Sequence, residues 1–206
     1  MIYPPNIIID FKSNTVNKDY ALKWSVQNHT IKEFKKEKQC LTLLEKNFIN
    51  EPKINYYPFP KLINSEKFNI TMSYCGNALK LLEKQLRNNK IDPKQWCNDL
   101  DVNNIYNTIE CIITNLKLNT IKHNDINKKN ICIDENNNIY LIDFEGSDIG
   151  NIEADPFRSG WQEKHWNIHF NNIRKKILSM FNIQWSPISK ASPNVLAREK
   201  KLDCLR

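Results

Sequence analysis

Residues 123–145, HNDINKKNICIDENNNIYLIDFE, constrain this chain more than any other stretch. Residues 131–134 and 139–142 are short apolar-rich runs. Glu135, Asn136, Asn137 and Asn138 stand between them, a polar set rich in turn formers, so the two runs read as a β-hairpin closed by a four-residue loop. In that register Asp134 pairs with Ile139, and Asn130 stands directly opposite Asp143. Opposed residues on one face of an antiparallel pair sit about 4.5–5.5 Å apart, close enough for their oxygens to share one hard cation. Asp125 lies five residues before Asn130, on the loop that feeds the first strand. One hairpin thus gathers two oxygen ligands and a nearby carboxylate able to orient a hydroxyl.

Phosphoryl transfer needs this layout, because it is mostly positioning and charge neutralisation: a metal on the phosphates and an Asp on the attacking hydroxyl. His123-Asn124-Asp125 with Asn130, followed by Ile142-Asp143-Phe144-Glu145, resembles the catalytic and metal-binding loops of the protein-kinase-like superfamily. The HND opening and the IDFE ending are more similar to its small-molecule kinases, such as choline kinases and aminoglycoside phosphotransferases. The resemblance implies an α+β, two-lobed fold with a reduced N-lobe sheet and a small, mainly helical C-lobe. The N-lobe would be residues 1–76, the C-lobe 77–185, and residues 186–206 a basic tail. It also implies ATP and Mg²⁺ as cofactors, Asp125 as catalytic base, and Asn130 and Asp143 as Mg²⁺ ligands. The plain alternative is a polar hairpin with acids at its ends. A lone HxD would favour that alternative; the added Asn at its spacing, the hairpin and the second Asp favour the resemblance.

Upstream, residues 7–11 read as a strand, 12–18 as a polar turn, and 20–26 (YALKWSV) as a second strand. Ala21-Leu22-Lys23 resembles the kinase strand whose lysine holds the nucleotide's α and β phosphates. Residues 29–48 follow as a helix: Ile31, Phe34, Leu41, Leu44 and Phe48 recur on one face, and Glu37 fills the gap in that stripe. A carboxylate on an inward face is costly unless paired, and Lys23 is the obvious partner. The alternatives are Glu33 as the paired acid, or Glu37 as part of a solvated set with Lys35, Lys36 and Lys38.

Residues 50–60 form a loop broken by Pro52, Pro58 and Pro60. Residues 61–63 and 68–73 read as strands, the second running into Tyr74-Cys75-Gly76-Asn77. By resemblance this is the hinge between lobes, where Met72 lines the back of the adenine pocket and Ser73 and Cys75 offer a carbonyl and an N–H. Residues 78–87 read as a short helix. Asp92-Pro93 reads as an N-cap and first helical residue, and a longer helix with Val102, Ile105, Ile109, Ile112 and Leu116 on its buried stripe ends near Leu118. That helix would carry the catalytic loop at its C-terminal end, with His123 as a packing and hydrogen-bonding residue. Asp155-Pro156 resembles the acidic residue and proline that small-molecule kinases place soon after the metal loop, there to brace the catalytic loop. Residues 159–181 form the last helix. His165 and His169 lack the intervening Glu of a metalloprotease motif and read as surface residues.

The pattern departs from the family in three places. Glycine does not occur before Gly76, so no glycine-rich loop lets backbone N–H groups close on phosphates; Ser13, Asn14 and Thr15 are the substitutes. Asn127 stands where Ser/Thr protein kinases carry a catalytic-loop lysine. Glu145 replaces the glycine that usually follows Asp143-Phe144, as choline kinases tolerate.

Composition limits the remaining readings. The net charge is +7, with 30 Lys and Arg against 23 Asp and Glu, which favours anionic partners. The lysines are spread along the chain, so a nucleic-acid binder gains little from them. Six scattered cysteines include no CxxC pair, which fits reduced thiols in an intracellular, cytoplasmic protein. No apolar run is long enough to span a membrane, and the first residues lack the form of a secretory signal. The leading expectation is an ATP- and Mg²⁺-dependent kinase acting on a hydroxyl, with a small-molecule acceptor preferred because no long activation segment is present. A compact Ser/Thr protein kinase and a pseudokinase binding module are the alternatives. Oligomeric state is not legible.

Overall fold

The computed structural model describes residues 8–11, 20–24, 28–65, 69–150 and 159–184. The chain is mixed α+β. Four strands, β1 (Ile8–Phe11), β2 (Tyr20–Trp24), β3 (Leu62–Ser65) and β4 (Asn69–Ser73), form one antiparallel sheet in the order β1-β2-β4-β3. Between β2 and β3 runs helix α1 (Asn28–Lys46), which contacts β3 and β4. Its inward stripe is as the periodicity requires: Phe34, Leu41 and Leu44 are buried, and so is Glu37.

The chain leaves this sheet at Gly76. There φ is +86°, and a Cβ would lie 2.1 Å from the Ile133 carbonyl oxygen; only glycine fits so close an approach. Strand β5 (Asn77–Ala78) follows at once and leads into α2 (Leu79–Asn88), α3 (Pro93–Asp99) and α4 (Val102–Leu118). Asp92 caps α3 by accepting the Lys94 N–H at 2.9 Å, with Pro93 in the first turn. Asp101 caps α4 in the same way through Asn103, also at 2.9 Å. Each cap satisfies an amide that a helix start leaves without an intrahelical partner. After α4 come β6 (Ile121–Lys122), β7 (Ile131–Ile133), β8 (Ile139–Leu141), β9 (Asp148–Ile149) and α5 (Ser159–Met180). A second sheet has the order β5-β7-β8, and β6 pairs with β9. Sequence periodicity missed β5, β6 and β9, because two-residue strands show no alternation.

One hydrophobic core runs from Phe34 and Ile70 through α4 to Phe181. Buried Asn115 of α4 joins its two sides: it accepts the Ile49 N–H at 2.8 Å and donates to the Ile49 carbonyl at 2.7 Å. The segment after α1 is thereby clamped to α4. On the opposite side Arg174 of α5 forks onto both oxygens of Glu110. No helix among the described residues is long and apolar enough to cross a membrane.

The β7–β8 register corrects the sequence reading. Ile131 pairs with Leu141 and Ile133 with Ile139, and the Asp134 N–H bonds the Asn138 carbonyl at 3.1 Å. The loop therefore has three residues, 135–137, not four. Asn137 supplies the left-handed residue that closes such a loop, at φ +61°. The Asp134 carboxylate accepts the backbone amides of Asn136 and Asn138, each at 2.9 Å. The shift of one residue places Asn130 opposite Ile142, whose N–H reaches the Asn130 carbonyl at 3.0 Å, and not opposite Asp143.

Candidate active site

The loop from β6 to β7 is held by its own side chains. His123 is buried; its Nε2 lies 2.8 Å from the Ile142 carbonyl and its ring meets Phe144 edge-on at 4.8 Å. It therefore packs and hydrogen-bonds, as expected. Asn124 adopts φ +62° and donates to the Gly146 carbonyl at 3.1 Å and to Asp148 at 2.8 Å. Asp125 is exposed. Its Oδ1 accepts the Asn127 side-chain amide at 2.8 Å and its Oδ2 the Asn130 amide at 2.9 Å. Asn130 also donates to the Asp125 carbonyl at 2.9 Å. Both partners are acceptors, so the amide nitrogen of Asn130 must face them, and its Oδ1 faces away from Asp125.

Beyond β8 the chain turns sharply. Asp143 sits at φ +71°, a conformation unusual outside glycine that concentrates where function requires it. Phe144 is fully buried, and its N–H donates to Glu37 Oε1 at 3.3 Å. The carboxylates of Glu37, Asp143 and Glu145 all approach within 4.8 Å of one another. Carboxylate oxygens are the donor type that a hard divalent cation takes. Glu145 stands beside Asp143 in this group, while Asn130 is paired through its backbone with Ile142 and not with Asp143.

A chain of edge-on rings ties this turn to the segment just after α1: Phe144 to Phe59 at 6.1 Å, Phe59 to Tyr57 at 5.4 Å, and Tyr57 to Phe48 at 4.9 Å. Lys36 on α1 reaches Asp148 at 3.5 Å. The Asn124 bond first, and then Lys36, hold the Asp148 carboxyl below its ordinary range. Burial pushes the Cys40 thiol up to about 12, and the nearby Glu37 charge adds to this. Cys40 is thus an inert core residue and not a nucleophile.

Lys23 lies on β2, opposite Ile70 of β4 and Ile9 of β1. Its side chain, and with it the expected Lys23–Glu37 pair, lies outside the described residues. So do the turn at Ser13, Asn14 and Thr15, the His165 side chain, Asp155 and residues 186–206. Met72 is buried and pairs with Ala21. Ser73 closes β4: its Oγ accepts the Lys61 N–H at 2.8 Å, and its carbonyl accepts the Cys75 thiol at 3.6 Å. Cys75 is buried, which pushes its thiol well above the ordinary range.

Two functional candidates were missed. Asn127 was read as a lost lysine, yet its amide holds the Asp125 carboxylate. Glu145 was read as a lost glycine, yet it completes the acidic group. The signal for Glu145 was its spacing of two from Asp143, visible only once the left-handed turn between them is known. Lys128 is drawn aside to Glu83, so it is not beside Asp125 in the place of the absent lysine. No known family model matches the sequence, and no curated protein matches it either.

Proposed function

We propose that this protein is an ATP- and Mg²⁺-dependent phosphotransferase acting on a hydroxyl, with a two-lobed kinase-like arrangement. Residues 1–76 hold the nucleotide and residues 77–185 carry the chemistry. One observation carries the reading. Glu37 of α1, Asp143 and Glu145 converge within 4.8 Å, at the end of the hairpin whose first strand follows the Asp125–Asn130 loop.

In this reading Asp143 and Glu145 would hold the metal, with the Asn130 Oδ1 that faces away from Asp125 as a candidate further ligand; the chemistry Mg²⁺ would supply is neutralisation of charge on the phosphates. Asp125 orients the acceptor hydroxyl; Asn127 and Asn130 fix its carboxylate in one direction, so little reorganisation accompanies reaction. The acceptor oxygen bonds the γ-phosphorus as the bond to the β–γ bridging oxygen breaks. ADP leaves, and the hydroxyl proton passes to Asp125. Glu37 anchors the Phe144 amide and thereby the turn that presents Asp143. By the resemblance, Lys23, Met72, Ser73 and Cys75 would contact the nucleotide. The preference for a small-molecule acceptor rests on the run after Asp143, of which residues 151–158 lie outside the described ones.

A second reading, a pseudokinase that binds nucleotide without turnover, is favoured by the absence of glycine before Gly76. Radiolabelled ATP offered with Mg²⁺ and a panel of choline-like, sugar and protein acceptors separates the two. Transfer that Asp125→Ala abolishes supports the enzyme. Mg²⁺-dependent nucleotide binding with no transfer to any acceptor leaves the binding module.

A further inference from the structure

Residues 144–148 lead from the turn after Asp143 into β9, and they are gripped from two sides. The Ser147 N–H donates to the Phe144 carbonyl at 3.1 Å and closes the segment on itself. From α1, Glu37 accepts the Phe144 N–H at 3.3 Å, and Lys36 reaches Asp148 Oδ1 at 3.5 Å. From the Asp125 loop, Asn124 gives both hydrogens of its side-chain amide. It donates to the Gly146 carbonyl at 3.1 Å and to Asp148 Oδ2 at 2.8 Å. One oxygen of Asp148 therefore meets α1, and the other meets the residue that precedes Asp125.

Asn124 sits at φ +62°, a left-handed conformation that asparagine adopts at some cost. Such a conformation persists where its surroundings over-determine it. Here two side-chain bonds hold it, and the Asp125 N–H on the His123 carbonyl at 2.8 Å closes the turn around it. The turn at Asn124 sets the direction in which the chain enters Asp125.

We infer that Asp148 is a positioning residue for Asp125: it holds Asn124 in its left-handed turn and ties that turn to α1. The inference rests on the phosphotransferase reading for what Asp125 does. The competing account is a surface ion pair of no consequence. The Lys36 contact alone would fit that account, because its side chains are 41% and 65% exposed and such pairs contribute little. The Asn124 bond does not fit it. That bond is short, charge-assisted and directed at the residue with the unusual φ. Ser147 acts in the same direction: it is buried, and its Oγ donates to the His123 carbonyl at 3.5 Å. Ser147 and Asp148 thus hold two successive residues of the loop, one from inside the core and one from its surface. Asp148 is the one that can be changed without opening the core.

The test combines steady-state release of ADP from MgATP, with water as acceptor, and backbone hydrogen exchange of the full-length chain without nucleotide. A small misplacement of a reacting group costs rate steeply, so Asp148→Ala is expected to lower kcat at least about fivefold. KM for ATP should stay within twofold and Tm near that of the wild type. Asp148→Glu keeps an acceptor for Asn124 and should recover kcat to within threefold of the wild type. Asn124→Gly keeps the freedom to adopt positive φ and removes the amide. Adding Asp148→Ala to Asn124→Gly should then change kcat less than twofold, because residues in one network are not additive. In hydrogen exchange, Asp148→Ala should speed residues 123–127 at least threefold and spare residues 131–141. Losses that multiply across the pair, an equal loss in Asp148→Glu, a change in KM in place of kcat, or exchange that rises equally in residues 131–141 would each overturn the inference. A wild type that turns over and an Asp148→Ala variant that matches it would keep the enzyme and remove the positioning role. A wild type that releases no ADP would remove the enzyme reading. Local exchange would then decide whether Asp148 holds the turn: faster exchange confined to residues 123–127 upholds it, and unchanged exchange overturns it.

Discussion

At the loop end of the β7–β8 hairpin, the Asp134 carboxylate accepts four hydrogen bonds: from the amides of Asn136 and Asn138, from the Asn138 side chain at 3.0 Å, and from the Tyr140 hydroxyl at 3.0 Å. At the open end, the carboxylates of Glu37, Asp143 and Glu145 crowd within 4.8 Å. In the first place several donors converge on one anion, and the fold gains a turn. In the second place three carboxylates converge on one space, and the hydrogen bond described there is the Phe144 N–H to Glu37. Residue type does not separate these two kinds of acid; what separates them is whether amide and hydroxyl donors or other carboxylates lie nearest.

The comparison breaks most sharply at Asp143. Asp143→Asn is expected to lower phosphate transfer at least ~10³-fold, the scale of losing one positioned charge, in a radiometric assay. The metal-free melting temperature of the same variant should stay near that of the wild type; a clear drop would mean that Asp143 builds the fold. Asp134→Ala should behave in the opposite way. Losing four hydrogen bonds at roughly 1 kcal/mol each should cost about 2–4 kcal/mol in urea unfolding, while transfer per folded molecule changes little.

Asn137→Val tests the loop itself. A β-branched residue at positive φ costs roughly 1–2 kcal/mol, and the loss should appear in the same unfolding curves. The smallest effect belongs to Asp148, whose contacts with Asn124 and Lys36 lower its folded pKa. Stability from a depressed carboxyl is present above the unfolded pKa and lost as pH falls through the folded one. Stability should therefore decline through the acid range below the ordinary carboxylate pKa, and Asp148→Asn should flatten that decline. Because Asp148 is largely exposed, the amplitude should stay within a few tenths of a kcal/mol, read from melting temperatures across an acid pH series.

Periodicity made the long elements legible. α1, α4 and α5 carry apolar stripes, and the inward place of Glu37 follows from the gap in its stripe. Asp92-Pro93 announced its helix start through cap chemistry. Register did not follow, because Glu135-Asn136-Asn137-Asn138 admits a three- or a four-residue loop, and the choice lies with Asp134 bonding two amides and Asn137 turning left-handed. The candidate site is half legible for the same reason. Asp125, Asn130 and Asp143 stand out as residue types at a spacing, whereas the approach of Glu145 to Asp143 depends on φ +71° at Asp143. Asn127 lacks a charge to draw notice, and its hold on Asp125 runs through its side-chain amide, which reaches the Asp125 carbonyl and carboxylate.

Calorimetric titration of ATP, with and without Mg²⁺, into the wild type, Asp143→Asn and Asp134→Asn bears most directly on the crowded carboxylates. Nucleotide binding that requires Mg²⁺, disappears in Asp143→Asn and survives in Asp134→Asn is the expected result. No binding to the wild type, or binding indifferent to Mg²⁺ and equal in both variants, would contradict it.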